Sequence, residues 1–126
     1  MVNANETTKK IIGCAIAVHS HLGPGLLESA YQACLFNKLN RSGLTVEKEI
    51  PLPIYFEGIK LNCGYRIDLL VENSVIVEVK SVEKLIPIHT AHLLTYLKLS
   101  GNRIGLLLNF NECRLIDGVK RIMNGY

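Results

Sequence analysis

The stretch YRIDLLVENSVIVEVK, residues 65–80, is the most informative segment of this chain. Its two halves, 65–71 and 74–80, are rich in β-branched and other apolar residues, which favour strands. Glu72 and Asn73 between them are typical of a short turn. The stretch therefore predicts a pair of adjacent strands joined as a hairpin.

Three of the four charged side chains in these two segments are expected to meet. Successive side chains of a strand point to opposite faces, so Glu78 and Lys80 share one face of the second strand. In the first strand, Asp68 is expected opposite the apolar face that carries Ile67 and Leu69. If the two strands pair, Asp68 and Glu78 can approach each other, and Lys80 projects into the same place.

Two readings of this charged group are open. Adjacent carboxylates repel, and a divalent cation relieves the repulsion; Mg²⁺ favours a few carboxylates together with waters and phosphate oxygens. The alternative is a partly exposed salt-bridge cluster of Asp68, Glu78 and Lys80 on a solvated sheet face. Such a cluster would contribute little to the stability of the fold. Residue spacing alone does not decide between them.

The rest of the chain predicts a mixed α/β domain over residues 1–126. Apolar periodicity indicates helices over about 5–21, 26–42 and 88–100. Strands are expected over 45–50, continued by 52–56 past two prolines that indicate an edge or a bend, and over 59–63 and 103–108. A last hairpin is expected over 114–122 around Asp117 and Gly118. This order predicts a mixed sheet flanked by helices, with a helical crossover after Lys80.

Two helices carry further candidate residues. Glu28 lies in the first turn of the second helix and shares a face with Tyr31, although a carboxylate there is also favoured simply by the helix dipole. His92 and Tyr96 lie one turn apart on the third helix. Neither has a partner at a spacing that would predict a zinc site.

Composition sets weaker limits. The net charge of +3 permits a polyanionic partner without requiring one, and an aromatic content of 6% gives little support for a base-stacking platform. The four cysteines form no CxxC motif, so we expect buried free thiols in a reducing compartment and a cytoplasmic protein. No stretch is long enough to predict a membrane span.

A family resemblance joins these observations. Gly25-Leu26-Leu27-Glu28-Ser29-Ala30-Tyr31 has the pattern that names the GxxExxY family. The segments 55–58, 68–72, 75–80, 94–98 and 105–110 also resemble that family, and the resemblance covers about 11–122. The GxxExxY family is placed in the PD-(D/E)XK nuclease superfamily. The resemblance therefore implies a restriction-endonuclease-like core of helix, three-stranded meander, helix and strand (αβββαβ).

The resemblance also implies roles for individual residues. The Asp of the superfamily motif falls on Asp68, and its ExK falls on Glu78 and Lys80. Asp68, Glu78 and the carbonyl of Val79 would then hold Mg²⁺ or Mn²⁺. Lys80 and a helical carboxylate, Glu28, would serve catalysis.

Two positions depart from the family pattern. Ile67 stands where a proline usually precedes the Asp, and His92 stands where the family usually has Gln. The resemblance implies that His92 and Tyr96 would orient the scissile phosphate.

The leading hypothesis is Mg²⁺-dependent hydrolysis of nucleic-acid phosphodiester bonds, with DNA expected rather than RNA. The alternative is a catalytically silent module on the same fold that binds nucleic acid or protein. A third reading is a homodimer, or a subunit bound to another partner, whose active surface is completed by the second chain.

Overall fold

A five-stranded sheet between helices organises the protein, which the computed structural model describes over residues 3–125. The predicted αβββαβ order and the mixed sheet flanked by helices are confirmed. The helices are α1 (Ala4–Leu22), α2 (Glu28–Arg41) and α3 (Pro87–Ser100). The strands are β1 (Val46–Pro51), β2 (Ile54–Phe56), β3 (Ile59–Leu61), β4 (Arg66–Val71), β5 (Val75–Lys80), β6 (Ile104–Asn109) and β7 (Val119–Met123).

The strands of the main sheet lie in the order β1-β4-β5-β6-β7. β4 pairs antiparallel with both β1 and β5, and β7 pairs antiparallel with β6. β5 and β6 are parallel, and α3 forms the crossover between them. The carboxyl ends of β5 and β6 therefore lie side by side at one edge of the sheet, which is where Lys80 and Asn109 stand.

Helices cover both faces of the sheet. α1 and α2 pack on one face, where Tyr31 and Leu35 meet Val77 and Leu106. α3 packs on the other face through side chains that include Leu93. Because β5 and β6 are covered on both sides, their side chains are almost all apolar and buried. A carboxylate in β5 is an exception that requires a specific partner.

The predicted continuation of the first strand over 52–56 was wrong. β1 ends at Pro51, and β2 pairs with β3 in a separate two-stranded sheet. Proline has no N–H to donate to a ladder, so Pro51 and Pro53 stop the strand and turn the chain. The edge that these prolines indicated is present, since β1 is an outer strand of the main sheet.

The predicted hairpin over 114–122 was also wrong. Leu115–Gly118 forms a 3₁₀ turn, and β7 after it pairs with β6 instead of with a preceding strand. Leu115 is buried in the core, so the segment before β7 serves packing and does not extend the sheet. Pairing with β7 covers the outer edge of β6, which would otherwise offer unpaired backbone groups.

The thiols are free as expected, but only Cys14 is buried. Cys34, Cys63 and Cys113 are exposed, because Cys34 lies on the outer face of α2 and the other two lie in connecting segments. Within residues 3–125, no helix combines the length and the hydropathy of a membrane span.

Two glycine substitutions test the local packing, one in the 3₁₀ turn before β7 and one in α1. A Cβ atom on Gly118 would meet the backbone oxygen of Asn109 at 2.6 Å, whereas a Cβ on Gly13, inside α1, would meet nothing within 4 Å. Gly118→Ala should therefore lower the free energy of unfolding by about 1–3 kcal/mol. Gly13→Ala should raise it by about 0.5–1 kcal/mol. Urea denaturation measures both, and an unchanged stability of Gly118→Ala would contradict the tight approach to Asn109.

Candidate active site

The β4–β5 ladder stops where Asp68 and Glu78 meet. Pairing runs from Val71 opposite Val75 to Leu69 opposite Val77. One step further, the backbone N–H of Val79 donates to Oδ2 of Asp68 at 2.9 Å, and the N–H of Asp68 donates to Oε1 of Glu78 at 3.3 Å. Two carboxylates thus replace the carbonyl groups that a continued ladder would supply.

The side-chain alternation of β4 is interrupted at the same point. Leu69 packs against the α1–α2 face, whereas Ile67 packs with Leu70 and Leu93 against α3. The prediction that Ile67 and Leu69 share a face was therefore wrong. The regular pleat that the prediction assumed ends at Asp68, where side-chain hydrogen bonds replace the ladder.

Burial makes this acid pair electrostatically costly. Glu78 is 6% exposed and Asp68 is half-buried. Loss of solvent raises the pKa of Asp68, and burial together with the charge of Asp68 raises the pKa of Glu78 to about 8. The pair therefore favours a bound proton or a bound cation over two free negative charges.

Lys80 does not neutralise the pair directly. Its charge lowers the pKa of both acids, yet within residues 3–125 no ion pair joins it to Asp68 or Glu78. Both carboxylates bond to backbone N–H groups instead, and one of them is buried. The arrangement differs in two ways from the partly exposed Asp-Glu-Lys salt-bridge cluster that was the alternative reading: the described residues form no ion pair between Lys80 and either acid, and Glu78 is buried.

The donor atoms at this place suit a hard divalent cation. The N–H of Val79 points toward β4, since it donates to Asp68. The N–H and carbonyl of one strand residue face the same neighbour, so the Val79 carbonyl points to this side too, beyond the end of the ladder. Two carboxylates and a carbonyl are oxygen ligands of the kind that Mg²⁺ and Mn²⁺ prefer.

The donor set is small. No group of three or more His, Cys, Asp or Glu side chains suited to a metal ion occurs in the described part of the chain, residues 3–125. A cation at Asp68 and Glu78 would therefore need water or substrate oxygens to complete its shell. Mg²⁺ is commonly held in this way, through one or two carboxylates, and the residues fit such a site.

Glu28 reaches the site from the opposite helix layer. It is the first residue of α2, and its Oε2 accepts a hydrogen bond of 3.3 Å from the N–H of Ser81, which follows Lys80. Its charge raises the pKa of Asp68, which shows that the two carboxylates lie within electrostatic range. Glu28 therefore stands at the rim of the acid pair, exposed to solvent.

The two candidates on α3 are placed differently. Burial, followed by the charges of Glu78 and Asp68, raises the pKa of the Tyr96 hydroxyl, so Tyr96 lies near the acid pair. His92 is exposed and has no hydrogen bond or ion pair with either acid among the described contacts. Both line a cleft of about 280 Å³ beside the site, with Tyr65 as another wall.

Sequence reasoning missed the role of Tyr31. It was expected on the Glu28 face of α2 and among the apolar positions of that helix; it is fully buried and stacks on Phe110 with ring centroids 4.6 Å apart. Its hydroxyl donates to the carbonyl of Gly23 at 2.5 Å and accepts the N–H of Leu26 at 3.1 Å. The GxxExxY spacing was a signal for this residue, although it did not reveal a structural task.

Ser81 and Asn109 were also missed. The Ser81 hydroxyl donates to the carbonyl of Leu26 at 2.6 Å. The fully buried Asn109 accepts the N–H of Val82 and donates to its carbonyl, both at 3.0 Å. An amide that ends the otherwise apolar strand β6 was a signal for Asn109; a serine in a connecting segment offered none for Ser81.

The acid pair predicts a pH-dependent stability in metal-free buffer. Folding raises the pKa of Glu78 from 4.5 to about 8, so the stability contributed by its proton is complete below pH 4.5 and is lost as the pH rises through about 8. Glu78→Gln retains an oxygen for the Asp68 N–H but cannot ionise. At pH 8 in EDTA this variant should be the more stable by at least about 1.4 kcal/mol, the equivalent of a tenfold change in acid dissociation.

Denaturant titrations from pH 5 to pH 8 measure this difference. Glu47→Gln is the matched control, because Glu47 is exposed on β1. Its stability should follow the wild-type curve. Parallel curves for Glu78→Gln and the wild type would contradict the buried, ionisation-resistant state of Glu78.

Comparison with known proteins agrees with this geometry. The sequence model of the PD-(D/E)XK nuclease superfamily matches residues 5–122, from α1 into β7. No curated protein and no solved structure matches the chain. Nucleases of this superfamily generally use divalent metal ions. The match spans nearly the whole chain, and the protein therefore belongs to the PD-(D/E)XK nuclease superfamily.

Proposed function

We propose that this protein is a nuclease of the GxxExxY type that hydrolyses nucleic-acid phosphodiester bonds with Mg²⁺ or Mn²⁺. The observation that carries the proposal is the pair formed by the half-buried Asp68 and the buried Glu78 at the end of the β4–β5 ladder, with Lys80 next to it and not ion-paired to it. A binding module has no need of two adjacent acids, partly or fully removed from solvent, whose charges repel each other.

Asp68, Glu78 and the Val79 carbonyl would hold the cation. When bound, a divalent cation polarises a phosphate and lowers the pKa of a coordinated water. Because burial and the charge of Asp68 raise the pKa of Glu78 to about 8, a cation and a proton compete for the pair near neutral pH. We therefore expect metal affinity to rise with pH.

Lys80 would act on the reacting phosphate. Its ammonium can hold the attacking water and stabilise the negative charge that develops on the phosphate oxygens. Its place at the end of β5, two residues after Glu78, keeps it on the same face as that acid.

Residues at the rim would orient the substrate. Glu28 can bind a second cation or a water, and it is exposed as this role requires. Tyr96 and His92 would donate to phosphate groups that enter through the cleft of about 280 Å³ which they line. DNA is the substrate we propose first, and RNA is included in the tests below.

A second candidate function is a catalytically silent interaction module. The arm formed by β2 and β3 carries apolar side chains that are largely exposed: Tyr55 (65%), Phe56 (62%) and Ile59 (61%). Apolar groups in this density often mark a surface that contacts a partner, including a second copy of the chain. Light scattering and binding assays without added metal test this function separately from cleavage.

Metal binding at the acid pair is the first test of the proposed nuclease. Isothermal titration with Mn²⁺ should show binding to the wild type and none to Asp68→Ala, since a single carboxylate leaves too few protein ligands. Asp117→Ala is the control, because Asp117 is exposed in the turn before β7. Equal Mn²⁺ affinities of Asp68→Ala and the wild type would show that the metal binds elsewhere.

Cleavage is the second test. In Mn²⁺, Lys80→Ala should slow cleavage by at least ~100-fold, which is the usual effect of removing one positioned group that stabilises transition-state charge. Mn²⁺ affinity should stay nearly unchanged, because an ammonium cannot ligate a metal. Lys10→Ala, an exposed change on α1, should retain full activity.

The substrate panel should contain single-stranded, double-stranded and branched DNA and RNA. If no substrate is cleaved in a Lys80-dependent manner, the nuclease proposal fails. Retained binding of nucleic acid in those samples would then favour the silent module.

A further inference from the structure

The segment that joins α1 to α2 lies against the end of β5. Ser81 makes both contacts: its hydroxyl donates to the carbonyl of Leu26 at 2.6 Å, and its backbone N–H donates to Oε2 of Glu28 at 3.3 Å. One residue therefore ties the α1–α2 segment and the Glu28 carboxylate to the strand that carries Glu78 and Lys80.

Tyr31 holds the same segment from the core. Its hydroxyl donates to the carbonyl of Gly23 and accepts the N–H of Leu26, so it binds the segment at both ends. Gly25 between them has a φ of 106°, a backbone conformation that residues other than glycine rarely adopt. The ring of Tyr31 is fully buried, which fixes the segment relative to the core.

Contacts in the core also connect Tyr31 to Lys80. The Tyr31 ring stacks on Phe110, with an interplanar angle of 13°. The backbone N–H of Phe110 donates to the carbonyl of Lys80 at 2.8 Å. The contacts therefore form a closed circuit from Lys80 through Phe110, Tyr31 and Leu26 to Ser81, which is the residue after Lys80.

Asn109 supports the circuit from a further side. Its buried amide accepts from the N–H and donates to the carbonyl of Val82, so the residue after Ser81 is also held. The backbone on both sides of Ser81 is thus restrained, by Phe110 at Lys80 and by Asn109 at Val82.

We propose that Tyr31 and Ser81 are positioning residues that hold the Glu28 carboxylate beside Lys80 at the end of β5. The inference rests on the proposed function, in which Glu28 acts in cleavage. An exposed glutamate samples many rotamers unless neighbouring groups restrain it. The circuit supplies this restraint and explains the motif: Gly25 shapes the segment, Glu28 faces the site, and Tyr31 anchors both.

A double-mutant cycle separates positioning from general stability. Tyr31→Phe removes the hydroxyl and keeps the ring on Phe110, and Ser81→Ala removes the bond to Leu26. Each should lower kcat in Mn²⁺ by roughly tenfold, as loss of an orienting partner commonly does. In the Glu28→Ala background each should lower kcat less than about twofold, since the group they position is gone.

The matched control makes the same chemical change as Ser81→Ala at an exposed site. Ser29→Ala should leave kcat unchanged in both backgrounds. All variants are assayed where circular dichroism shows them folded. Equal losses of kcat with and without Glu28 would mean that Tyr31 and Ser81 act only on the fold, and the proposal would be overturned. No loss in the presence of Glu28 would overturn it as well.

Amide hydrogen exchange tests the same inference without any cleavage. The Ser81 amide should exchange at least about tenfold faster in Tyr31→Phe and in Glu28→Ala, because its bond to Glu28 is weakened or removed. The amide of Val77, inside β5, reports global opening and should accelerate less than the Ser81 amide. Should the wild type cleave nothing, the proposed function fails, and this measurement still decides the positioning. A Ser81 amide that exchanges as in the wild type, or accelerates only in step with Val77, would overturn it.

Discussion

The reciprocal hydrogen bonds of Asp68 and Glu78 govern the arrangement of the site. β5 is buried on both faces, so its residues are apolar except for Glu78 and Lys80 near its carboxyl end. The acids can be accommodated there because each accepts a backbone N–H that the ladder leaves unpaired. These bonds satisfy the oxygens without removing the repulsion between the charges, and the raised pKa of Glu78 is the consequence.

Elements from both helix layers and from β6 lie close to the pair of Asp68 and Glu78. α3 and β6 follow β5 as a parallel crossover, so Asn109 ends its strand beside Lys80. α2 approaches from the opposite face of the sheet and presents Glu28 from its first turn, while α3 presents Tyr96. Side chains from both helix layers can therefore reach an acid pair at the end of a strand. The middle of β5 is buried and contacts neither solvent nor a substrate.

Local periodicity predicted most of the fold, and contacts between distant segments account for what it missed. The alternation in 74–80 correctly predicted that Glu78 lies opposite the valines of β5, and helix periodicity predicted all three helices to within a few residues. Ile67 was assigned to the wrong face because the β4–β5 ladder ends beside it. The position of that end depends on hydrogen bonds between groups that are ten and eleven residues apart in the sequence. Tyr31 and Ser81 act on segments whose proximity arises only in three dimensions, so no local pattern indicated their tasks.

We expect Asp68 and Glu78 to share a divalent cation. Crystals grown with Mn²⁺ and measured near the manganese absorption edge test this expectation, since anomalous scattering locates the ion without assumptions about activity. We expect one strong anomalous peak within about 2.0–2.4 Å of a carboxylate oxygen of each acid and of the Val79 carbonyl. A fully occupied manganese site elsewhere, with Asp68 and Glu78 still bonded only to backbone N–H groups, would contradict it.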